Sequence, residues 1–362
     1  MLEFTDMLYG VVRLPDWIRP FVRIPEFVRL RGVRLSNVDS FQFKDLNGPT
    51  RWEHCLAVAA LAQKCALLRG LSEAESIHLV LAALLHDVAT PPFAHTAEYV
   101  LEGFDHELES QRLLGGVAEG DSEPDLPVFA SQLPQFSRIC RKLSRELGLS
   151  INPQQVAEMV TGGGELGFLI NGTIDLDNAD NVTRACRYMG HDVDPAIPFQ
   201  VADFLAGCST APLDLHTCSN ESVQQWRYYK DWLYNAFYSC QLEELGRQAF
   251  LQHIMRCGIR AGIPRRAMIW NTDDQLLSTI GQADWRSADG RGVPIRELIQ
   301  RYRLLESPML VADIGIDKDS WLRALQDAKA TGWIELVLES PDFQPMVMVM
   351  NHCLDSASFL LI

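Results

Sequence analysis

Hydrophobic residues recur at three- and four-residue spacing along much of the first 190 residues, which is the period of an amphipathic α-helix. Ser72 with Glu75 three residues later, and Asn152 directly before Pro153, are typical helix starts. Turn residues separate the periodic segments. Helices are therefore predicted over residues 51–69, 73–88, 94–115, 136–148, 152–161 and 173–190.

The pattern changes in the later part of the chain. Residues 116–135, rich in Gly, Pro, Asp and Ser, predict a long surface loop, and residues 221–259 predict one long amphipathic helix or two in tandem. Beyond about residue 285 the predicted elements are helices over 296–305 and 319–332 and strands over 333–339 and 345–351. The sequence thus indicates a mainly α fold, with one domain over residues 1–285 and a small α+β region over residues 286–362.

The net charge of −15 over 362 residues argues against nucleic acid as the main partner, because clustered Lys and Arg bind phosphate backbones. One N-terminal segment reverses that sign, although a solvated face with a few ion pairs explains it slightly better than a basic patch. Its arginines are Arg13, Arg19, Arg23, Arg29, Arg31 and Arg34. Nucleic acid is a partner that the charge does not favour.

The nine cysteines include no CxxC pair, and several lie in apolar helical segments, as is typical of buried thiols in a reducing cytosol. Cys208, His216 and Cys218 could begin a zinc site, but the sequence offers no fourth ligand. The longest apolar run, residues 77–89, is too short to span a bilayer. The N-terminus lacks the features of a signal peptide. A cytoplasmic protein without a membrane partner is expected.

The stretch LLHDVATPPFAH, residues 84–95, places His86 and Asp87 where a helix is predicted to end. Pro91 and Pro92 enforce that ending. Two adjacent side chains can turn toward one point only at such an end, since neighbours inside a helix diverge by about 100°. An imidazole beside a carboxylate supplies half of the coordination shell of a divalent metal ion.

Two further fragments carry candidate ligands. His54 lies in the first turn of the predicted helix RWEHCLAVAALA, where a lone histidine is more often a packed core residue. Asp177, Asp180 and Arg184 share one helical face, and an exposed row of ion pairs is the ordinary interpretation of such a face. A His, then a His-Asp pair about 32 residues on, then an Asp about 90 residues further, is the metal-binding signature of HD phosphohydrolases.

Several blocks of the sequence resemble, in order and spacing, the deoxynucleoside triphosphate triphosphohydrolase branch of the HD superfamily. The blocks are IPEFVRLRGVRL, RWEHCLAVA, LLHDVATPPFAHTAE, DHELES, NGTIDLDNAD and IWNTDDQLL, within about residues 20–285. The resemblance implies an HD-domain helical bundle, a nucleotide substrate and a homo-oligomer. The implied reaction is hydrolysis of a dNTP to the deoxynucleoside and triphosphate.

The same resemblance implies roles for individual residues. The implied metal ligands are His54, His86, Asp87 and Asp177, with Asp175 as the alternative to Asp177. The implied cofactor is one divalent transition metal, namely Mn, Fe, Co, Ni or Zn, because Mg suits two imidazoles and two carboxylates less well. The implied catalytic residues are His95, His106 and Arg51. Arg51 is also expected to bind the substrate, and Thr90, Asp180 and Arg184 are expected to do the same.

One position departs from the family pattern. The family has a histidine three residues after the HD aspartate, whereas this chain has Thr90, which can donate a hydrogen bond but cannot carry charge. The departure keeps two other hypotheses open, an HD phosphodiesterase or nuclease and a nucleotide sensor without catalytic activity. The absence of the further histidines of a two-metal HD site counts against the first, and the retained His95 counts against the second.

Overall fold

Helices make up most of the structure, a computed structural model that describes residues 1–36, 48–115, 135–208, 218–234, 236, 242–283 and 294–304 and four short strands near the C-terminus. The mainly α fold predicted from the sequence is confirmed. In this described part of the chain, no helix combines the length and the apolar composition that crossing a bilayer requires.

The helices are numbered along the chain. They are α1 (Pro25–Arg29), α2 (Arg51–Arg69), α3 (Glu73–Leu85), α4 (His95–Glu98), α5 (His106–Gly115), α6 (Gln135–Leu147), α7 (Pro153–Val160), α8 (Leu176–Tyr188), α9 (Ile197–Ala206), α10 (Glu221–Leu233), α11 (Leu242–Arg260), α12 (Arg265–Trp270), α13 (Asp273–Gly281) and α14 (Ile295–Arg303). The predicted helix over residues 51–69 has the predicted bounds, and the segment 221–259 forms two helices in tandem.

The strands form two antiparallel sheets. They are β1 (Leu2–Asp6), β2 (Gly10–Leu14), β3 (Met309–Leu310), β4 (Glu335–Glu339), β5 (Pro345–Val349) and β6 (Ser358–Leu361). β1 and β2 form an N-terminal hairpin, which the sequence did not predict, and the other strands pair in the order β3-β6-β5-β4. Both predicted strands are present, as β4 and β5. The predicted helix over 319–332 and nearly all of the predicted loop over 116–135 lie outside the described residues.

Side-chain caps fix where the helices that carry the site begin. Thr50 Oγ1 accepts a hydrogen bond from the Glu53 N–H, while the Glu53 carboxylate accepts one from the Thr50 N–H. Ser72 and Glu75 form the same reciprocal pair at the start of α3, as the sequence indicated. Each pair satisfies two backbone donors that a helix start leaves open, and a cap of this kind contributes about 1 kcal/mol. α2 therefore begins directly after Thr50, and its first turn contains His54.

The residues after the His-Asp pair lie between two hydrophobic clusters. The larger cluster packs the N-terminal segment, including Phe21, against α2, α3, α7, α8 and α9. The smaller cluster packs α11, α12, α13 and α14 around Phe93. Val88 belongs to the larger cluster and Ala89 to the smaller one. Because burial of one phenylalanine contributes about 1.5–3 kcal/mol, Phe93 anchors this segment firmly.

The predicted helix over residues 94–115 is divided into α4 and α5. Gly103 has a φ of +68°, a left-handed conformation that glycine adopts at no steric cost. Asp105 Oδ1 then accepts hydrogen bonds from the N–H groups of Glu107 and Leu108 and so caps the start of α5. The break allows His106, at the start of α5, to approach α4.

Candidate metal centre and active site

Two histidines face each other where α2 begins and α3 ends. His54 lies in the first turn of α2. His86 caps α3, because that helix ends at Leu85 rather than at residue 88 as predicted. The two rings stand edge to face with their centroids 5.2 Å apart. The ends of two helices packed against each other thus bring together side chains 32 residues apart in sequence.

Hydrogen bonds at Nδ1 of both rings leave the two Nε2 atoms as ligand atoms. His54 Nδ1 lies 2.7 Å from Asp180 Oδ2. His86 Nδ1 lies 2.8 Å from the carbonyl oxygen of Ala83, which can only accept, so this nitrogen donates. In a neutral imidazole the other nitrogen then carries the lone pair. A histidine whose second nitrogen is held in this way is typical of metal sites in proteins.

Two carboxylates lie next to these nitrogens. Asp177 Oδ1 is 2.8 Å from His54 Nε2 and 3.5 Å from His86 Nε2. Asp87 Oδ2 is 3.8 Å from His54 Nε2 and 3.4 Å from His86 Nε2. The structure therefore brings together all four side chains that the resemblance implies as metal ligands.

Asp175, the alternative to Asp177, caps a helix. Its Oδ1 accepts a hydrogen bond from the Asn178 N–H across 2.6 Å, and its Oδ2 accepts one from the Gly172 N–H across 2.9 Å. These bonds start α8 and place Asp177 in the first turn of that helix. Burial, together with the nearby charge of Asp177, raises the pKa of Asp175 to about 7. Of the two acids, Asp177 is the one beside the histidines.

The buried polar atoms of this cluster fit a divalent cation. His54 Nε2, His86 Nε2 and Asp177 Oδ1 are buried and make no well-directed hydrogen bond, although His54 Nε2 and Asp177 Oδ1 lie 2.8 Å apart. Each such atom costs about 1–3 kcal/mol unless it has a partner, so three of them close together indicate a shared cation. His54, His86 and Asp87 also offer ligand atoms within 4.8 Å of one another. Two imidazoles and two carboxylates suit Mn, Fe, Co, Ni or Zn.

Arg51 holds the Asp87 carboxylate in place. Its Nη1 donates a hydrogen bond to Asp87 Oδ2 across 2.6 Å, and both side chains are buried. Burial by itself raises the pKa of Asp87, but the Arg51 guanidinium and the His86 imidazole hold that pKa well below its usual range. Asp87 is therefore ionised, as a metal ligand must be.

A second polar cluster adjoins Asp87. Glu98 Oε1 accepts a hydrogen bond from His106 Nδ1 across 2.6 Å, and Glu98 Oε2 bonds to His95 Nδ1. His106 Nε2 lies 3.4 Å from Asp87 Oδ1. Burial by itself lowers the pKa of His106, but Asp87 and Glu98 raise it to about 10. A continuous polar chain thus runs from Asp87 through His106 and Glu98 to His95, whose side chain is 41% exposed.

Most of these residues lie in a segment that matches a known family. Residues 51–157 match the family model of the HD domain. This segment is an HD domain. The chain is 28% identical over 146 residues to the deoxynucleoside triphosphate triphosphohydrolase SAMHD1 homolog of Dictyostelium discoideum, covering 35% of this chain and 28% of the relative. It is 26% identical over 196 residues to the uncharacterized protein YwfO of Bacillus subtilis, covering 52% of this chain and 40% of the relative.

The matches thus span less than half the length of these curated relatives. A solved structure is similar to this chain in fold. The crystal structure of a phosphohydrolase from Bacteroides thetaiotaomicron has a TM-score of 0.59 and 14% identity, covering 100% of this chain and 99% of that one. At this identity the likeness shows the fold. The resemblance to the HD superfamily is confirmed.

Thr90, which stands where the HD pattern has a histidine, contacts a metal-ligand candidate. Its Oγ1 donates a hydrogen bond to Asp87 Oδ1 across 2.7 Å, and its side chain is buried. Oδ1 and Oδ2 of Asp87 are therefore held separately, by Thr90 and by Arg51.

The loop after the HD motif contains two residues with strained backbone. Phe93 and Ala94 have φ values of +60° and +49°, in a region that non-glycine residues adopt at a cost of about 1–3 kcal/mol each. Asp273 Oδ1 accepts the Phe93 N–H across 2.9 Å, and Asp273 Oδ2 accepts Arg34 Nε across 2.6 Å. The strained pair directly precedes His95, so the IWNTDDQLL block supports the loop that places this histidine.

Asp180 and Arg184, the expected substrate-binding pair, have fully buried side chains beside His54. Arg184 Nε and Nη2 donate to Oδ2 and Oδ1 of Asp180, each across 2.9 Å. Asp180 Oδ2 also bonds to His54 Nδ1. Asp180 thus connects Arg184 to His54.

Three residues of the site and its support were not predicted, namely Glu98, Asp273 and Tyr9. Glu98 follows His95 by three residues, a spacing that brings two side chains to one helix face and could have indicated it. Asp273 and Tyr9 carry no local signal, since their partners lie far away in sequence. The weak zinc candidate with Cys208 and Cys218 includes residue 216, which lies outside the described residues.

Proposed function

We propose that this chain is a metal-dependent phosphohydrolase that acts on a nucleotide, and that its leading substrate is a dNTP, cleaved to the deoxynucleoside and triphosphate. The observation that carries the proposal is the convergence of two imidazoles and two carboxylates beside the cluster of His95, Glu98 and His106. The sequence blocks and the activity named for the Dictyostelium relative support the choice of dNTP.

His54, His86, Asp87 and Asp177 would hold the metal ion. When bound, a divalent cation supplies polarisation of a phosphoryl oxygen and activation of water. Arg51 and Thr90 keep Asp87 ionised and oriented for this purpose. The role implied for Arg51 near the substrate phosphates is an extension of the same proposal, since the guanidinium lies directly beside the ligand cluster.

Glu98 and the two histidines bonded to it provide the acid catalysis. Glu98 fixes His95 Nδ1, which leaves Nε2 of the partly exposed ring to give a proton to the departing oxygen as water adds to phosphorus and the P–O bond breaks. His106, bonded to Glu98 and close to Asp87, keeps the two carboxylates at a fixed separation and offsets their charge. It acts as a positioning residue in this scheme.

A phosphodiesterase or nuclease activity is the second candidate, and Thr90 favours it. The Thr90 hydroxyl is bonded to Asp87, so no ionisable group stands where the HD pattern has a histidine. A diester carries less charge than a triphosphate and depends less on cationic side chains for binding.

The test is a product analysis with defined metals. The purified protein is reloaded separately with Mn, Fe, Co and Mg and incubated with each dNTP and NTP and with bis(p-nitrophenyl) phosphate, and products are separated by anion-exchange chromatography. Equal amounts of deoxynucleoside and triphosphate are expected. Cleavage of the diester with intact dNTPs would transfer support to the second candidate, and intact substrates with every metal would contradict both. Light scattering on the same samples checks the predicted homo-oligomer.

A further inference from the structure

The N-terminal hairpin reaches the ligand cluster from a distant part of the sequence. The hydroxyl of Tyr9, in the turn between β1 and β2, donates a hydrogen bond to Asp180 Oδ1 across 2.7 Å. The two residues are 171 positions apart in sequence. Asp180 is the carboxylate that holds Nδ1 of His54. One hydrogen bond therefore separates the hairpin from the group that orients a metal-ligand candidate.

Asp6 contacts both the backbone of the same turn and Arg184, the partner of Asp180. Its Oδ1 accepts the N–H groups of Leu8 and Tyr9 across 2.8 and 2.9 Å, which fixes the turn. Its Oδ2 lies 2.9 Å from Arg184 Nη2. Arg184 in turn binds both oxygens of Asp180. The carboxylate that builds the turn thus also anchors it to α8.

Asp180 is fully supplied with hydrogen-bond donors. Tyr9 Oη and Arg184 Nη2 contact its Oδ1, and Arg184 Nε and His54 Nδ1 contact its Oδ2, all within 2.9 Å. The side chains of Asp180, Arg184 and His54 are completely buried. Buried charges are stable only when they are paired and hydrogen-bonded, so loss of one donor leaves part of the carboxylate unsatisfied. Without the Tyr9 hydroxyl, Asp180 Oδ1 keeps Arg184 Nη2 as its only donor among these groups, and the carboxylate is held less firmly against His54.

We propose that the β1–β2 hairpin is a working part of the metal centre, in which Tyr9 and Asp6 are positioning residues that hold Asp180 against His54. Metal binding and docking of the hairpin then stabilise each other, because a coupling between two sites acts equally in both directions. The inference rests on the proposed metal-dependent function and adds to it a supporting element outside the HD domain.

Tyr9 offers a substitution that isolates this role. Its ring packs edge to face against Phe199 with centroids 5.0 Å apart and lies under the Arg184 guanidinium. Tyr9→Phe keeps these ring contacts and removes only the hydroxyl. Tyr229→Phe is the control, since the Tyr229 hydroxyl likewise makes a hydrogen bond, accepting the Asp194 N–H across 3.0 Å, and the Tyr229 side chain is buried.

The first experiment titrates cobalt alone into metal-free wild-type, Tyr9→Phe and Tyr229→Phe protein against a competing chelator. We expect Tyr9→Phe to weaken cobalt binding about tenfold, the lower end of the range for direct partners of metal ligands, because Tyr9 acts through such a partner, Asp180. Tyr229→Phe should match the wild type. Equal cobalt affinity of Tyr9→Phe and wild type would refute the role of Tyr9 and leave the proposed function standing. Absence of cobalt binding to the wild type would refute both.

The second experiment measures the reverse direction of the coupling in the unmodified protein. Amide hydrogen exchange is followed with and without cobalt in residues 2–14 and, for comparison, in α7. Cobalt is expected to slow exchange in the hairpin more than in α7. Equal exchange of the hairpin with and without bound cobalt would overturn the proposed coupling, even if the Tyr9→Phe protein bound the metal weakly.

Discussion

The Thr90 hydroxyl donates its hydrogen bond to Asp87 Oδ1 across 2.7 Å, while Arg51 holds Asp87 Oδ2. The residue that replaces the histidine of the HD pattern therefore faces a metal-ligand candidate. The change from histidine to Thr90 therefore affects how Asp87 is held, as well as which groups can act on the substrate. Thr90 and Asp87 are each 1% exposed, so water does not compete for this bond.

Thr90→Val should weaken metal binding, because valine has nearly the same shape as threonine but cannot donate to Asp87. A loss of about tenfold in cobalt affinity is expected, as for other partners of metal ligands. Thr90→Ser keeps the hydroxyl and should stay within about twofold of the wild type. Chelator competition measures both variants. Wild-type affinity in Thr90→Val would show that the Thr90 hydroxyl is not needed to orient Asp87.

Glu98→Gln should lower kcat and leave the metal content unchanged. Glutamine offers only one acceptor oxygen, so it cannot satisfy both His95 and His106 as Glu98 does. A fall in kcat of about 10²-fold is expected if this carboxylate orients the general acid. Steady-state kinetics and metal analysis are made on the same preparation, with the exposed Glu102→Gln as control. Loss of the metal from Glu98→Gln would assign Glu98 to the ligand set instead.

Asp273→Asn tests whether a distant residue supports the strained loop before His95. Asparagine has one acceptor oxygen where Asp273 has two, so either the Phe93 N–H or Arg34 Nε loses its acceptor. We expect the free energy of unfolding to fall by about 1–3 kcal/mol and kcat to fall with the metal retained. The neighbouring Asp274, whose side chain is 95% exposed, provides the control Asp274→Asn. Indistinguishable thermal unfolding and kcat for the two variants would contradict this role.

The stability of the protein should depend on pH through His78, which is not one of the residues of the candidate site. Its Nε2 accepts the Asn152 N–H across 2.8 Å at the start of α7, and burial lowers the pKa of His78. The folded protein therefore binds this proton more weakly than the unfolded chain, whose histidines titrate near 6.5. The stabilisation is fully present above the unfolded pKa and is lost as the pH falls below it.

His78→Gln checks this sign, because glutamine keeps an acceptor but does not titrate. Thermal unfolding is compared at pH 7.5 and pH 5.5. The decrease in Tm on acidification should be smaller in His78→Gln than in the wild type. An equal decrease in both proteins would mean that other groups produce the whole pH dependence.

Local sequence signals predicted the elements that carry the ligands. The capping pair of Ser72 and Glu75, the helical periodicity around His54, and the prolines after Asp87 are all encoded within a few residues. Asp177 lies about one turn before Asp180 on a single helix, as the sequence spacing predicted. These features depend on backbone hydrogen bonding and helix geometry, which neighbouring residues determine.

The remaining parts of the site depend on contacts distant in sequence. Tyr9 reaches Asp180, and Asp273 reaches Phe93 from 180 residues away, and no local pattern indicates either pair. The positive φ of Ala94 is equally hidden, because no glycine marks it. Tertiary packing imposes these features, so they become visible only in the folded structure.

Metal content and turnover, measured on one preparation, test whether dNTP hydrolysis depends on a metal ion held by Asp87 and its neighbours. Wild type, Asp87→Asn and the control Asp203→Asn, whose side chain is 45% exposed and pairs with Lys64, are analysed for bound metal and for triphosphate released from dNTPs. About one ion per chain and dNTP hydrolysis are expected in the wild type and in Asp203→Asn, and both should be lost in Asp87→Asn. Hydrolysis at the wild-type rate by metal-free Asp87→Asn protein would contradict this expectation.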